Sequence, residues 1–393
     1  MQNSRTVFDV IVLGAGASGL MAAIHAAERG RNVLVIDHAE RAGKKILVSG
    51  GGKCNITNRR ISVADYFGAD NSFCKHALKR FPTESVLSML QRAHIETEER
   101  EQGRIFCKRG ANELVSYLVR TAENSGVRFL LNTKITDVSF SASFCIKSEG
   151  RRYESSCLLV ATGGLARPQI GATSIGYAIA KQFGHTVQPL KPVLAGFILP
   201  QDSPLLNLQG ISLDVRLWIK GKEAVIEEPL LFTHKGVSGP SVLQVSCFLE
   251  KGDTVTINFL PSEAIISQMH NPDNGKLFVK NLLTHFLPER LVKSLLPEPL
   301  SNRKVAGLGK KDRQLIATRI HEFPVIPDAV EGFSKAEATS GGVSTPEIHP
   351  KTMESLLLKG LFFSGEVMDI TGKLGGYNIH WAFASGYVAG QNI

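Results

Sequence analysis

A glycine-rich turn between an apolar strand and a helix is the feature that most constrains this chain. Residues 9–13 (DVIVL) form a short β-branched run, which is typical of a buried parallel strand. Gly14-Ala-Gly16-Ala-Ser-Gly19 follows at once, and residues 20–29 are rich in alanine with apolar side chains at helical spacing. A second apolar run, residues 33–36, ends in Asp37. This order predicts a β-α-β unit that binds a dinucleotide.

Each part of the turn has a physical role in holding a dinucleotide. Gly14 allows a tight turn, Gly16 lets the backbone approach a pyrophosphate, and Gly19 lets helix and strand pack closely. The N–H groups and the positive dipole end of the helix stabilise the phosphates. The Asp37 carboxylate accepts hydrogen bonds from the adenosine ribose. The alternative, a glycine-rich turn without a ligand, does not account for the strand, helix and acid in one unit.

Two further glycine segments favour FAD over NAD. Residues 41–58 (RAGKKILVSGGGKCNITN) contain three consecutive glycines, which the interior of a helix or strand disfavours, so we expect backbone that lies against a ligand. A plain NAD dehydrogenase has no need of such a segment. Residues 158–164 (LLVATGG) predict a strand that returns to the same sheet and ends in a turn near the cofactor. The alternative for Gly163 and Gly164 is a turn without a ligand.

The C-terminal region repeats the pattern of a strand followed by glycine. Residues 361–366 (LFFSGE) predict a strand, a glycine turn and an acid, and a Gly-Gly pair precedes residues 379–388, which have helical spacing. This order would put Glu366 beside a polar chain such as ribityl, with the helix N-terminus facing the isoalloxazine, where its dipole would stabilise an anionic reduced flavin. The alternative is that Glu366 and Asp369 only cap the helix backbone.

Five segments in the right order resemble those of the BaiN/YhiN-like NAD(P)/FAD-dependent oxidoreductases, the flavoproteins of aminoacetone oxidase type. They are GAGASGL, KKILVSGGGKCNITN, LLFTHKGVSGPSVLQVS, ATSGGVSTPEIHPKTMES and GLFFSGEVMDITGKLGGYNIHWAFASG, and the match runs nearly end to end. One stretch departs from the family pattern. Residues 171–176 (GATSIG) lack the Gly-Asp-Gly that many relatives carry, so no substrate contact is carried over to that turn.

The resemblance implies an FAD site built from both ends of the chain. The implied contact residues are Gly14, Gly16, Ala17, Ser18, Gly19, Asp37, His38, Lys45, Gly50, Gly51, Gly52, Asn55, Ala161, Thr162, Gly163, Gly365, Glu366, Gly375, Gly376, Tyr377, Asn378 and Ile379.

The expected fold class is α/β: a Rossmann-like FAD-binding domain of the two-dinucleotide-fold type, interrupted by an inserted β-barrel-like part and a small helical part. The segment between residues 164 and 361 is too long for one nucleotide-binding fold. Short β-branched and aromatic runs at residues 196–260 predict antiparallel strands, and the pattern then turns helical. The expected boundaries are 1–190 and 335–393 for the FAD-binding domain, 191–261 and 322–334 for the β-domain, and 262–321 for the helical domain.

The turn at residues 233–240 (THKGVSGP) contains the candidate catalytic residues. His234 and Lys235, beside two glycines, could present a cation or a proton donor to a substrate or to the flavin N1. The alternative is that His234 orders the loop through hydrogen bonds to backbone. Cys54 adjoins the glycine run but has no partner cysteine nearby in sequence, so we expect it to pack beneath the flavin. The cysteines form no CxxC pair, and we expect no metal site.

The motifs together indicate a flavin oxidoreductase that transfers hydride to or from a small organic substrate. A dedicated NAD(P)H domain would add a second strand–GxGxxG–helix unit, so NAD(P)H is expected only as a transient co-substrate. No nucleic acid partner is expected, because the basic residues are dispersed. The alternatives are an RNA-linked, tRNA-modifying flavoprotein, which the net charge of +9 favours, and a non-catalytic flavin-binding protein.

Hydropathy bears on location. No apolar run approaches the roughly 18 residues that a membrane span needs. The first apolar stretch, Val10 to Leu13, is too short for the core of a signal peptide. A cytoplasmic protein without a membrane partner is therefore expected.

Overall fold

The computed structural model describes residues 6–222 and 224–393. The chain divides into two compact units. Unit 1 combines the chain up to Pro192 with Glu337–Ile393, and unit 2 is Val193–Ala336.

The described residues up to Val193 form eleven strands and six α-helices. The strands are β1 (Thr6–Leu13), β2 (Val33–Ile36), β3 (Asn55–Asn58), β4 (Tyr66–Phe67), β5 (Thr97–Arg100), β6 (Arg104–Cys107), β7 (Arg128–Leu130), β8 (Asp137–Phe140), β9 (Phe144–Ser148), β10 (Arg151–Val160) and β11 (Val187–Val193). The helices are α1 (Ala17–Ala27), α2 (Lys44–Val48), α3 (Lys75–Arg80), α4 (Thr83–Arg92), α5 (Ala111–Asn124) and α6 (Ile175–Gln182).

The remaining elements complete unit 2 and then return to unit 1. Unit 2 contains β12 (Phe197–Ile198), β13 (Ser212–Ile219), β14 (Val225–Phe232), β15 (Gly236–Ser238), β16 (Val255–Asn258), β17 (Phe323–Val325) and β18 (Ala329–Val330), with α7 (Pro240–Val245), α8 (Ile265–His270), α9 (Val279–Leu283), α10 (Glu289–Leu295), α11 (Glu298–Ser301) and α12 (Lys310–His321). The C-terminal part of unit 1 contains β19 (Ala338–Val343), β20 (Leu361–Phe363), β21 (Thr371–Gly372) and α13 (Tyr377–Asn392).

Unit 1 is built on a sheet of strand order β7-β2-β1-β10-β9-β8, in which β20 also pairs with β10. The strands β7, β2, β1, β10 and β20 run parallel, and β8 and β9 pair antiparallel at the other edge. The parallel strands are apolar because helices cover both faces of such a sheet, and residues 10–13 of β1 are at most 1% exposed. This arrangement confirms the expected α/β, Rossmann-like class.

α1 and α13 pack closely, which brings the two ends of the chain together. A Cβ atom on Gly386 would lie 2.3 Å from the carbonyl oxygen of Ser18, and one on Gly390 would lie 2.5 Å from that of Ala22. Larger residues at these two positions would force the helices apart. The N-terminal and C-terminal segments therefore belong to one hydrophobic core.

Unit 2 contains an antiparallel sheet of order β17-β16-β13-β14-β15-β12-β18. Its strands and its helices share one hydrophobic cluster, which includes Leu217 and Ile257 of the sheet and Leu282, Leu291 and Ile316 of the helices. In the structure these strands and helices lie together in unit 2. The expected division of this region into a β-domain and a separate helical domain, residues 262–321, stays a prediction.

Among the described residues, no helix combines the length and the apolar character that crossing a bilayer requires.

Candidate functional site

The candidate site lies in unit 1, where four neighbouring parallel strands end in register. Leu13 is aligned with Ile36 and with Val160, and Val160 is aligned with Phe363. The segments that follow these strands therefore meet at one edge of the sheet. They are residues 14–19, 37–38, 161–164 and 364–366, all of which the sequence analysis selects. Open α/β sheets bind their ligands at this carboxyl edge.

The three glycines of the first turn differ in what surrounds them. A Cβ atom on Gly14 would lie 2.4 Å from the carbonyl oxygen of Ala161, and one on Gly19 would lie 1.9 Å from that of Gly14. A Cβ atom on Gly16 would have no protein atom within 4 Å. Gly14 and Gly19 therefore serve protein packing, whereas Gly16 borders open space. This is the space that a pyrophosphate needs.

α1 begins beside this space at Ala17, without a side-chain cap. The N–H group of Leu20 makes the first bond along the helix, to the carbonyl oxygen of Gly16 at 3.0 Å. The preceding N–H groups of Ala17, Ser18 and Gly19 point out of the helix end, where they and the helix dipole attract an anion. The start of α1 thus fits the phosphates of a dinucleotide.

Asp37 ties the first turn to the segment after β2. Its Oδ2 atom accepts a hydrogen bond from the N–H group of Ala15 at 2.7 Å, and its Oδ1 atom accepts one from Ala39 at 2.8 Å. Each carboxylate oxygen keeps a second lone pair for a ribose hydroxyl. The Nε2 atom of the neighbouring His38 is buried without a hydrogen-bond partner among the described residues. A bound ligand or an ordered water would satisfy such an atom.

Glu366 is the centre of a polar network after β20. Its Oε2 atom accepts a hydrogen bond from the Lys45 ammonium group, and its Oε1 atom accepts one from the N–H group of Thr339 at 2.9 Å. The Thr339 Oγ1 atom accepts from the N–H groups of Leu165 and Ala166, at 2.8 and 3.1 Å. Thr339 is a residue that the sequence analysis missed, because only β19 of the folded chain brings it to Glu366.

Four hydroxyl groups of unit 1 are buried without a hydrogen-bond partner among the described residues: those of Thr162, Tyr177, Thr345 and Ser364. Burial, and then the negative charge of Glu366, raise the pKa of Tyr177, so its phenol stays protonated. Thr162 was predicted as a contact and Tyr177 was not. Both hydroxyls can bond to a polar ligand.

α13 begins at Tyr377, after a glycine pair. A Cβ atom on Gly376 would lie 2.4 Å from the carbonyl oxygen of Thr57, so packing against β3 already requires glycine there. The Asn378 side chain accepts from the N–H group of Gly372 at 2.8 Å and donates to its carbonyl oxygen at 2.9 Å. Asn378 thus orders the preceding loop with its side chain, and the helix start offers its backbone N–H groups to a ligand.

The run of three glycines forms a tight turn, Ser49–Gly52, in which all three glycines have positive φ angles, and it leads toward β3. A Cβ atom on Gly50 would lie 2.9 Å from the backbone nitrogen of Asn55, whereas one on Gly51 would have no protein atom within 4 Å. Gly51 therefore resembles Gly16 in bordering open space, and Gly50 is required by the turn itself.

Cys54 follows this turn and is fully buried. A hydrogen bond between the thiols of Cys54 and Cys107 lowers the pKa of Cys54 and raises the pKa of Cys107. The sequence analysis found no partner for Cys54, because Cys107 becomes its neighbour only when β3 pairs with β6.

The other predicted contact residues lie in the same segments of unit 1. They are Gly52 and Asn55 near the start of β3, Ala161 and Gly163 after β10, Gly365 after β20, and Gly375 and Ile379 at the start of α13. Which residues contact a cofactor stays a prediction.

His234 and Lys235 lie in unit 2, on the turn between β14 and β15, and both side chains are exposed. The N–H group of Leu199 donates to the Lys235 carbonyl oxygen at 3.0 Å, so the backbone orders this turn. Their catalytic role stays a prediction.

Sequence comparison identifies the family. Residues 8–392 match the HI0933-like protein Rossmann domain. The chain belongs to the HI0933-like family. This is the family of BaiN/YhiN-type flavoproteins that the sequence motifs predict. Membership in it puts the chain among the flavin-dependent oxidoreductases.

Two named relatives match nearly the whole length of this family member. It is 37% identical to a ribosomal RNA dihydrouridine synthase of Escherichia coli K12, over 98% of both chains. It is 31% identical to a 3-dehydro-bile acid delta(4,6)-reductase of Clostridium scindens, over 97% of both chains. In structure it resembles the quinol fumarate reductase subunit FrdA of E. coli, with a TM-score of 0.52 and 15% identity over 98% of this chain and 70% of that one. The structural likeness concerns the fold alone.

Proposed function

We propose that this HI0933-like protein is an FAD-dependent reductase of carbon–carbon double bonds conjugated to a carbonyl group, and that its substrate is a uracil base in RNA. The observation that carries this proposal is the full-length relationship to a ribosomal RNA dihydrouridine synthase. Conversion of uridine to dihydrouridine adds a hydride and a proton across the C5–C6 double bond, which is conjugated to the C4 carbonyl group.

The second named relative supports the same type of reaction. A 3-dehydro-bile acid with double bonds at positions 4 and 6 has a ketone conjugated to those bonds, so its reduction also adds a hydride to a conjugated system. The two substrates differ in size and charge, but the reacting group is the same. Both named relatives therefore support reduction of a conjugated double bond, and the first of them supports RNA as the substrate.

The residues of unit 1 fit FAD. Gly16 and the start of α1 would hold the pyrophosphate, Asp37 the adenosine ribose, and Glu366 the ribityl chain. The buried, unpartnered atoms of His38 and Thr162 mark polar positions that a bound cofactor would satisfy. When bound, FAD would supply the hydride, and we propose NAD(P)H as the reductant that regenerates it.

The chain's own groups would prepare this site for a negatively charged flavin. The first turn of α13 presents backbone N–H groups and a positive dipole end to the isoalloxazine position. Lys45 already neutralises Glu366, so this carboxylate adds little net negative charge beside the proposed ribityl position.

The net charge of +9 supports RNA over a neutral small molecule, because cationic surfaces attract polyanions. A small conjugated ketone is the second candidate substrate, and the bile acid reductase relationship is the observation in its favour.

The test is reduction of uridine by the purified, FAD-loaded protein. We would incubate it without oxygen with NADH or NADPH and with unmodified ribosomal RNA, digest the RNA to nucleosides, and quantify dihydrouridine by mass spectrometry. Photoreduction of the flavin with EDTA as the electron donor in a parallel sample makes the result independent of the nicotinamide. A Gly16→Val protein, which should lack FAD, is the matched control. Reduction of a conjugated ketone without any dihydrouridine would refute the RNA substrate and keep the reductase.

A further inference from the structure

A cluster of basic side chains lies on the surface of unit 1, which we call the α3 patch. Its members are Lys75, His76, Lys79 and Arg80 of α3 together with His349 and Lys351 of the loop before β20. The two lysines of α3, Arg80 and Lys351 are exposed, and the two histidines are half-buried.

Packing against α13 brings α3 and this loop together. The Phe81 ring, directly after α3, lies 5.0 Å from the Tyr387 ring of α13. The Asn392 side chain, at the end of α13, donates to the Lys351 carbonyl oxygen at 3.5 Å. Both contacts involve the C-terminal half of α13, so the helix and the loop present their basic groups beside each other.

The positive charges of the patch are not compensated. Among the residues that the structure describes, Lys75, Lys79, Arg80 and Lys351 form no ion pair and no side-chain hydrogen bond. The pKa of His76 is lowered, first by burial and then by the positive charges of its neighbours in the patch. These like charges repel one another, which is an unfavourable arrangement unless an anion binds.

Several basic residues elsewhere on unit 1 have an acidic partner. Lys108 pairs with Glu96, Arg59 with Glu99 and Lys147 with Asp137. The α3 patch differs from these pairs because it gathers several basic side chains without an acidic partner on one surface.

The helix dipole accounts for only part of the patch. Lys79 and Arg80 lie in the last turn of α3, where a positive charge is favourable. Lys75 lies where α3 continues from the 3₁₀ segment Asn71–Cys74, so no helix C-terminus favours its charge, and Lys351 lies outside the helix. These two residues need another explanation.

We propose that the α3 patch binds the phosphate backbone of the RNA substrate. This inference rests on the proposed function, because an RNA substrate supplies a polyanion. α13 starts at the candidate flavin site and ends beneath the patch, and its 16 residues span about 24 Å. An RNA chain of a few nucleotides covers this distance, so one base can enter the site while its neighbours' phosphates contact the patch.

The test is the salt dependence of RNA binding. The patch variant combines Lys75→Gln, Lys79→Gln, Arg80→Gln and Lys351→Gln, in which glutamine preserves helix propensity. The control variant removes four exposed charges of unit 1 that pair with no acidic group in the described part of the chain: Lys134→Gln, Arg152→Gln, Lys181→Gln and Lys191→Gln. We would measure filter binding of protein-free ribosomal RNA across a sodium chloride series, with FAD content as the check on folding.

A plot of the logarithm of RNA affinity against the logarithm of salt concentration should be less steep for the patch variant, by roughly 2 to 3 in slope. At physiological salt we expect its affinity for RNA to fall at least about tenfold. The control variant should keep most of the slope and most of the affinity for RNA. Equal slopes for the patch variant and the wild type would overturn the proposal that the α3 patch binds RNA. If both proteins still form dihydrouridine, the proposed function is unaffected by that result. If the wild type binds no RNA, both proposals fail. If the wild type binds phosphatidylserine vesicles through the patch but does not bind RNA, the patch contacts a membrane surface and the RNA-binding role is refuted.

Discussion

Lys45 and Glu366 form an ion pair although 321 positions separate them in the chain. The Glu366 side chain is 14% exposed, and the second of its carboxylate oxygens accepts the N–H group of Thr339. A half-buried carboxylate needs such partners, because removing a charge from water is costly. The pair joins α2 to the segment after β20 at the edge of the sheet where the cofactor is proposed to bind.

Replacing Glu366 tests whether the C-terminal segment contributes to the cofactor site. We expect Glu366→Ala to weaken FAD binding about ten- to hundredfold, because a hydrogen bond to a charged group contributes roughly 1.5 to 3 kcal/mol. Titration of the apo-protein with FAD measures this. Glu99→Ala, which removes an exposed ion pair with Arg59, is the control and should leave affinity unchanged. An unchanged dissociation constant for Glu366→Ala would limit Glu366 to ordering the loop.

Substitutions at two glycines of the first turn are expected to affect cofactor binding and folding separately. Gly16→Val should remove FAD and leave the apo-protein folded, because Gly16 has extended backbone angles and open space at its Cβ position. Gly19→Ala should instead destabilise the fold, by roughly 1 to 3 kcal/mol or more, because its Cβ would overlap the Gly14 carbonyl group. FAD content and thermal melting of both variants distinguish the two effects. A folded Gly16→Val protein that retains FAD would contradict the pyrophosphate position.

The buried thiol pair is expected to have a structural role. Cys54→Ser should retain FAD and should still pass electrons from the reduced flavin to an acceptor, because both Cys54 and Cys107 are fully buried in the core. Cys107→Ser is the matched variant. Anaerobic reduction followed by reoxidation, monitored by flavin absorbance, measures this. If either variant keeps its flavin but no longer transfers electrons, the two thiols act as a redox pair.

His380 should make stability depend on pH. Burial lowers its pKa from the ordinary 6.5 to about 4. Between these values the unfolded chain binds a proton that the folded chain does not, so the free energy of unfolding falls as the pH is lowered through this window. The loss attributable to His380 amounts to about 3 kcal/mol. Urea titrations at several pH values should show a weaker pH dependence for His380→Gln and an unchanged one for the exposed His234→Gln. Equal curves for His380→Gln and the wild type would refute this assignment.

Local patterns in the sequence predicted the elements that build the sheet. The first strand, the glycine turn and α1 lie within about 20 residues of one another, and β20 and α13 were predicted from equally short segments. The α/β class followed from these units, and family comparison confirms it. The sequence motifs and the named relatives favour different substrates. The motifs favoured a small molecule, whereas the named relatives support an RNA base as the substrate proposed above.

The sequence by itself determined which segments form strands, tight glycine turns and helix starts, because these depend on backbone sterics and apolar spacing over a few residues. Only the tertiary structure decided which side chains meet. The Lys45–Glu366 pair, the bonds of Thr339 to the segment after β10, and the contact of Cys54 with Cys107 join residues from different strands and helices. Such partners depend on how strands pair and helices pack over the whole of unit 1, and no spacing along the chain records that.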